Sequence, residues 1–176
     1  MTWHHISSPP VKKFKTVPSA GKVVVTVFWD CDGVILVEVL PTGQTINSAA
    51  YVTTLKKLKK RFQRVRPHKD VNKLLLQHDN ARPHTSLHTR EEITKLQWTV
   101  FPHPPYCSDL APSDFHLFGP LKEAIRGKKF ECDEDVISEV KRWLRCKPKN
   151  WYKQGMGALV SRWRKAVDLK GDYVEK

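Results

Sequence analysis

Apolar and polar positions along this chain alternate with two different periods, and the switches between them mark out the elements. KVVVTVFWD and GVILVEVL are rich in β-branched residues and are separated by Cys31-Asp32, with Gly33 following. That is the pattern of two antiparallel strands joined by a tight turn. Tyr51, Leu55, Leu58, Phe62 and Val65 then recur at helical steps, with Asn47 or Ser48 available as the cap and Pro67 as the stop. VNKLLLQ at 71–77 is a short continuous apolar run, as in a strand buried on both faces. A helix is expected from near His84 or Thr85, carrying Leu87, Ile93 and Leu96, and QWTVF at 97–101 alternates as a strand.

After the proline-rich loop PHPPYCSDLAPSD, an apolar helix carries Phe115, Leu117, Phe118, Leu121 and Ile125, with Pro120 placed to bend it. Two further helices follow. Asp133 is expected to cap a stripe of Val136, Ile137, Val140, Trp143 and Leu144, and Met156, Leu159, Val160, Trp163 and Val167 form the stripe of the last. Residues 1–21 mix Pro, Ser and Lys with short apolar islands and read as an irregular segment ahead of one domain at 22–176. The order strand, strand, helix, strand, helix, strand, helix is an α/β pattern. Trp29, Trp98, Trp143 and Trp163 fall on apolar faces and belong to the core, whereas no pattern assigns Trp3 or Trp151.

Composition adds a partner class. The 176 residues carry 31 Lys+Arg against 18 Asp+Glu, a net charge of +13, and 40% are apolar, enough for one core. The longest apolar stretch, Val23 to Trp29, is far short of a membrane span, and no signal peptide opens the chain. Cys31, Cys107, Cys132 and Cys146 are scattered, with no CxxC, and read as reduced thiols of an intracellular protein. The positive excess is concentrated: Lys56, Lys57, Lys59, Lys60, Arg61, Arg64, Arg66 and Lys69 have no acid between the first and last of them. On the amphipathic helix this is either a solvated or nuclear-localisation-like face, or a surface that tracks phosphates. Nucleic acid is the expected partner.

Two carboxylates have the placement that chemistry would need. Asp79 lies just past a predicted strand, where α/β sheets collect ligands, although a helix cap or turn would also use it. Asp114 falls in the first turn of the following apolar helix, with Ser113 as the expected N-cap, so the helix dipole favours its ionised form. Converging, they would suit hard divalent cations of the kind used in two-metal phosphoryl transfer. His78, His84, His103 and His116 are the histidines placed to cluster, but no HExxH or finger spacing accompanies them. His84 reads as a helix-start residue and His116 as packing beside the site.

The motifs HDNARPH around Asp79 and HPPYCSDLAPSDFHLFGPL around Asp114, separated by 34 residues, resemble the second and third carboxylates of the Asp-Asp-34-Asp triad of mariner-type transposases, in the Tc1/mariner group. TVFWDCDGVILVEVLPTGQTINSAAYVTTL is similar to that family's hairpin and following helix, and GDYVEK to its C-termini. Cys107-Ser108 stands where the family usually has Ser-Pro. The resemblance implies an RNase H-like mixed sheet flanked by helices, Mg²⁺ or Mn²⁺ held by Asp79 and Asp114, DNA as substrate, a nuclear location and a possible homodimer.

It also implies a first, central strand bearing the first triad Asp, and helix-turn-helix modules before it, none of which has a counterpart here. The expected fold is therefore truncated at the N-terminus, with a sheet that is either gapped or closed by pairing the hairpin to the strand at 71–77. Asp30 and Asp32, at the hairpin turn, lie at the end of the sheet away from the site, and Glu38 is on a strand two positions from that of Asp79. The expected function is a DNA-binding, transposase-derived domain without strand-transfer chemistry. The alternatives are an active metal-dependent endonuclease or transposase, and a protein-interaction module recruiting partners through sheet edges.

Overall fold

The computed structural model describes residues 23–41, 43–171 and 174; the irregular segment expected at 1–21 lies outside the described residues. The hairpin forms as predicted, β1 Val24–Asp30 pairing antiparallel with β2 Gly33–Leu40. Its two-residue turn needs Gly33, whose φ of 118° is in the region glycine tolerates, and the Asp32 amide donates to Asp30 Oδ1 at 2.9 Å. A bulge after Phe28 lets Trp29 pair with Val34 and Phe28 with Leu36, leaving Ile35 as the extra residue. Val25, Val27, Trp29, Val34 and Val37 therefore face one core, while Phe28, Ile35 and Leu36 face another.

The first core is closed by the basic helix, α1 Ser48–Val65. Asn47 is its cap, the side chain accepting from the Ala50 amide at 2.9 Å. Tyr51, Leu55, Leu58 and Phe62 are buried, with Leu55 fully so; Leu55→Ala belongs to the class of core truncations that cost about 2–5 kcal/mol. Beyond α1 the run at 71–77 departs from expectation. Asp70 caps a 3₁₀ turn at Val71–Lys73, accepting from the Asn72 amide at 2.9 Å, and only Leu75–Leu76 is strand (β3). Leu76 is buried but Leu75, which points to the opposite face of the strand, is 58% exposed, and β3 pairs in parallel with β4 Thr99–Val100. Among the described residues the hairpin and the β3–β4 pair are separate two-stranded sheets, and the hairpin does not pair with β3.

The helix expected from His84 is two helices, α2 Arg82–Thr85 and α3 Leu87–Lys95. Ser86 separates them and caps the second, its Oγ accepting from the Thr89 amide at 3.2 Å. Ile93 and Leu96 enter the first core, but Leu87 is 74% exposed because that cap places it at the helix start. Gln97 is not strand either. It is left-handed (φ 62°) in a Schellman cap, Trp98 N donating to Ile93 O and Gln97 N to Thr94 O, so β4 begins only at Thr99.

The second core packs the other hairpin face against the C-terminal helices, giving three layers with the hairpin in the middle. A wide π-helical turn at Ser113–Phe118 runs into α4 Gly119–Ile125, which takes Pro120 in its first turn, so this proline starts a helix instead of bending one. Pro112, not Ser113, occupies the cap position of the π turn; the Ser113 hydroxyl instead accepts from Trp29 Nε1 at 3.1 Å. Likewise Cys132 stands at the cap of α5 Asp133–Cys146, so Asp133 is its first helical residue and favours it through the dipole. Val140 and Leu144 are its buried positions.

In the last helix, α6 Lys149–Asp168, the inward face is Tyr152, Gly155 and Met156, while Val160 and Val167 are exposed. The expected stripe is thus rotated toward the start of the helix, where α6 meets the hairpin and the π turn. Of the tryptophans, Trp29 and Trp98 are buried, and Trp143 and Trp151 meet edge to face at 5.6 Å. All four cysteines are free thiols, and no described helix is long and apolar enough to cross a membrane.

Candidate active site

Asp79 stands three residues past β3, in the loop before α2. Its Oδ1 accepts from the Ala81 amide at 3.0 Å and meets His84 Nδ1 at 2.6 Å. His84 is itself held flat. Its ring stacks on that of His78 at 5.1 Å with 4° between planes, and Tyr51 lies 4.1 Å from it on α1. Tyr51 Oη is 2.9 Å from His78 Nδ1. Thus α1, β3 and α2 jointly aim one carboxylate, and the aromatic sandwich is what periodicity could not foresee: Tyr51 reads as core, and is core, yet its hydroxyl belongs to the site.

Burial opposes ionisation of Asp79, but the Ala81 amide and the His84 ring outweigh it and hold the carboxyl below its usual range. His78 is pushed down to about 4 by burial and by neighbouring His84, so it is neutral at pH 7. Asp114, in the first turn of the π helix, behaves oppositely. Burial and then the negative charge of Asp79 raise its carboxyl, with His103 and Lys122 acting the other way. The two acids therefore sit close enough to feel one another. Among the described residues neither has a Lys or Arg within ion-pair distance.

A cleft of about 400 Å³ opens beside the Asp79 loop, lined by His78, Asn80, His84, Phe101 and His103. Asn80 Nδ2 donates to His103 O at 2.9 Å, tying the Asp79 loop to the loop after β4. Among the described residues no group of three or more His, Cys, Asp or Glu side chains is arranged to hold a metal ion. His78 and His84 do meet, as a ring stack, but His116 packs instead on α6, its Nε2 2.9 Å from Trp151 O. What the two can offer is oxygen: Asp79 keeps Oδ2 clear of hydrogen bonds among the described residues, and the charge of Asp79 helps to raise the Asp114 carboxyl, an effect that a cation between them would relieve. That donor set fits a hard divalent ion.

The eight basic residues divide. Arg66 donates to both oxygens of Asp30, at 3.1 and 2.8 Å, and Lys69 reaches Asp30 at 3.1 Å and Asp32 at 2.5 Å. Lys57 pairs with Glu38, Lys56 with Glu92 at 3.5 Å, and Arg61 donates to Ile35 O at 3.2 Å. The acids missing from the local sequence are thus supplied by the hairpin and α3. Arg66 is largely enclosed by its partners, whereas Lys56 and Lys57 remain more than half exposed, and Lys60 and Arg64 are exposed, with Lys59 half-buried. Asp30 and Asp32, which the sequence places at the far end of the sheet, hold that end to the C-terminal end of α1.

The loop SDLAP is anchored from behind. Asp109 is buried, its Oδ2 accepting from the Val174 amide at 2.8 Å and its carbonyl from Arg162 Nη1 at 3.0 Å.

Residues 1–71 match the family described as Transposase (partial DDE domain). The Mariner Mos1 transposase of Drosophila mauritiana is 38% identical over 156 residues, which are 88% of this chain and 45% of that protein, so the chain spans about half the length of this relative. A structure of the Mos1 transposase catalytic domain with Raltegravir and Mn superposes with a TM-score of 0.84 at 37% identity, covering 87% of this chain and 78% of that one. A Mos1 transposase paired-end complex with left transposon end matches at TM-score 0.83 and 34% identity, over 98% of this chain and 51% of that one. The likeness runs through both the hairpin layer and the two acid-bearing loops, and the chain belongs to the mariner-type transposases, corresponding to their RNase H-like catalytic domain.

Proposed function

We propose that this chain is a transposase-derived DNA-binding domain in which Asp79 and Asp114 are two of the carboxylates that would hold Mg²⁺ or Mn²⁺, and that it lacks strand-cleavage and strand-transfer activity. The observation that carries the reading is the two carboxylates themselves, Asp114 raised in part by the charge of Asp79 and neither with a Lys or Arg ion-pair partner among the described residues, in a chain of charge +13. Mos1 relatives supply the support for metal and DNA, through a structure with Mn and one with a transposon end. When bound, the ion would supply Lewis-acid stabilisation of charge on phosphoryl oxygens. The chain's own residues do the rest: Ala81 and His84 fix the orientation of Asp79, and the π turn presents Asp114.

Inactivity rests on the acids within reach. Asp30 and Asp32 are committed to Arg66 and Lys69, Glu38 pairs with Lys57 through one oxygen, and among the described residues no third His, Cys, Asp or Glu joins the pair in a metal-holding group. A metal-dependent nicking assay tests this: no product is expected, and robust cleavage abolished by Asp79→Asn would establish an active endonuclease. For binding, the exposed face is Lys56, Lys57, Lys60 and Arg64, with Lys59 half-buried at its margin and Arg61, Arg66 and Lys69 serving mainly the fold. About four phosphate contacts predict that DNA affinity falls on the order of a hundredfold between 50 and 200 mM salt. Salt-insensitive binding would remove the face from the interface. Paired-end assembly of Mos1 makes a homodimer on DNA the proposed assembly, read by sedimentation with and without DNA, and a fluorescent fusion tests the nuclear location. Self-association that ignores DNA would instead identify an interaction module.

A further inference from the structure

Asp114 is carried by a π-helical turn, an irregular geometry that must be held by something outside itself. Two residues on, His116 projects from the same turn toward α6 and lies against Gly155. A Cβ built on Gly155 would come within 2.3 Å of His116 Cδ2 and 2.7 Å of Cγ, contacts that no real side chain makes. The ring has no easy retreat. Its Nε2 is 2.9 Å from Trp151 O, one helical turn before Gly155, and it is bracketed by Trp151 at 4.0 Å and Trp29 at 6.3 Å. Trp29 in turn donates to Ser113 Oγ at 3.1 Å, so the residue before Asp114, Ser113, and the one two positions after it, His116, are both tied to the second core.

We propose that Gly155 is a positioning residue for Asp114, acting through the His116 ring: the missing side chain on α6 is the socket that seats the π turn and aims the carboxylate toward Asp79. This rests on the metal-holding reading of Asp79 and Asp114 only for its functional consequence; the mechanical coupling stands apart from it. Gly157, two residues further along α6, is the internal control, because a Cβ there meets nothing within 4 Å. It also matches the gain in helix propensity that any Gly→Ala change brings.

The test uses the full chain and Mn²⁺ alone, with free Mn²⁺ measured by electron paramagnetic resonance, alongside amide hydrogen exchange. Gly155→Ala should weaken Mn²⁺ binding about 10- to 100-fold, the usual effect of a residue that orients a ligand. Gly157→Ala should leave it unchanged. The amides of Asp114 and Phe115, which donate to Ala111 O at 2.9 and 3.1 Å, should exchange faster in Gly155→Ala, while those around Leu55 and Leu58 stay slow. His116→Ala should weaken binding as well, and the Gly155→Ala/His116→Ala double variant should be no weaker than His116→Ala alone, since removing the ring removes the clash. Unchanged Mn²⁺ affinity in Gly155→Ala, beside a loss in Asp114→Asn, would overturn the proposal. If Asp114→Asn binds Mn²⁺ like the parent, the metal reading fails instead, and exchange decides: unchanged rates at 114 and 115 in Gly155→Ala sink the coupling, and faster rates uphold it. Should Gly155→Ala not fold, the same two readouts on His116→Ala and on the double variant decide the matter in the same way.

Discussion

Two pairs of carboxylates in this molecule are treated in opposite ways. At the β1–β2 turn, Asp30 and Asp32 are saturated by Arg66 and Lys69. After β3 and in the π turn, Asp79 has only a histidine and Asp114 has no ion pair among the described residues. Both pairs lie in one strongly basic chain, so the difference is not a shortage of cations. It is placement: the first pair staples the β1–β2 turn to the end of α1, and the second is left without a Lys or Arg ion pair among the described residues. An acid cluster that folding has already paired is structure, and one that folding leaves repelling is a place for a ligand.

The largest effect expected from breaking this contrast is on stability. Arg66→Ala removes both guanidinium bonds to Asp30 and a third to Gly33 O, leaving a half-buried carboxylate with Lys69 and the Asp32 amide as its remaining partners. About 2 kcal/mol should be lost, seen as a lower urea midpoint. A smaller effect of defined sign appears in acid. Burial raises the carboxyl of Asp30, but bonds from Arg66, Lys69 and the Asp32 amide outweigh it, so its folded value lies below the unfolded one. Its contribution is therefore complete above about pH 4 and fades as pH falls through the folded value. Asp30→Asn should lower stability at pH 7 and flatten the acid limb of a stability–pH curve; an unchanged limb would mean that the staple does not act in solution.

Asp114 has the opposite sign. Its folded carboxyl is raised, by burial first and then by Asp79, so the fold binds its proton more tightly than the unfolded chain does. Stability from this group is present at low pH and declines as pH rises through the folded value. Asp114→Asn should thus leave the protein as stable or slightly more stable at pH 7, measured on the same urea curves. A clear loss would show that Asp114 is a structural acid like Asp30. The smallest change expected is a metal shift: Mn²⁺ should raise the parent's melting temperature slightly and that of Asp114→Asn not at all.

Much of this could be read in advance. The hairpin, the extent of α1, and the loops carrying Asp79 and Asp114 follow from alternation, a 3.6-residue period, and turn residues, because each is set by contacts within a few positions of chain. The two-residue strands were overestimated for the same reason. LLL and QWTVF look like strands, yet the ends of β3 and β4 are set by a 3₁₀ turn and a Schellman cap.

The basic run shows the limit most clearly. Locally it holds eight cations and no acid; in three dimensions Asp30, Asp32, Glu38 and Glu92 neutralise half the surface it promised. Nothing in HDNARPH announces that Tyr51, a core residue of a distant helix, pins the histidine that orients Asp79, and nothing in the last helix marks Gly155 as the seat of His116. Sequence by itself determined the elements, the charge and the chemical identity of the two acids. Which charges are cancelled, and which carboxylates are brought together and left uncancelled, was decided only when residues far apart in the chain packed within a few ångströms, the range over which hydrogen bonds and close ion pairs act.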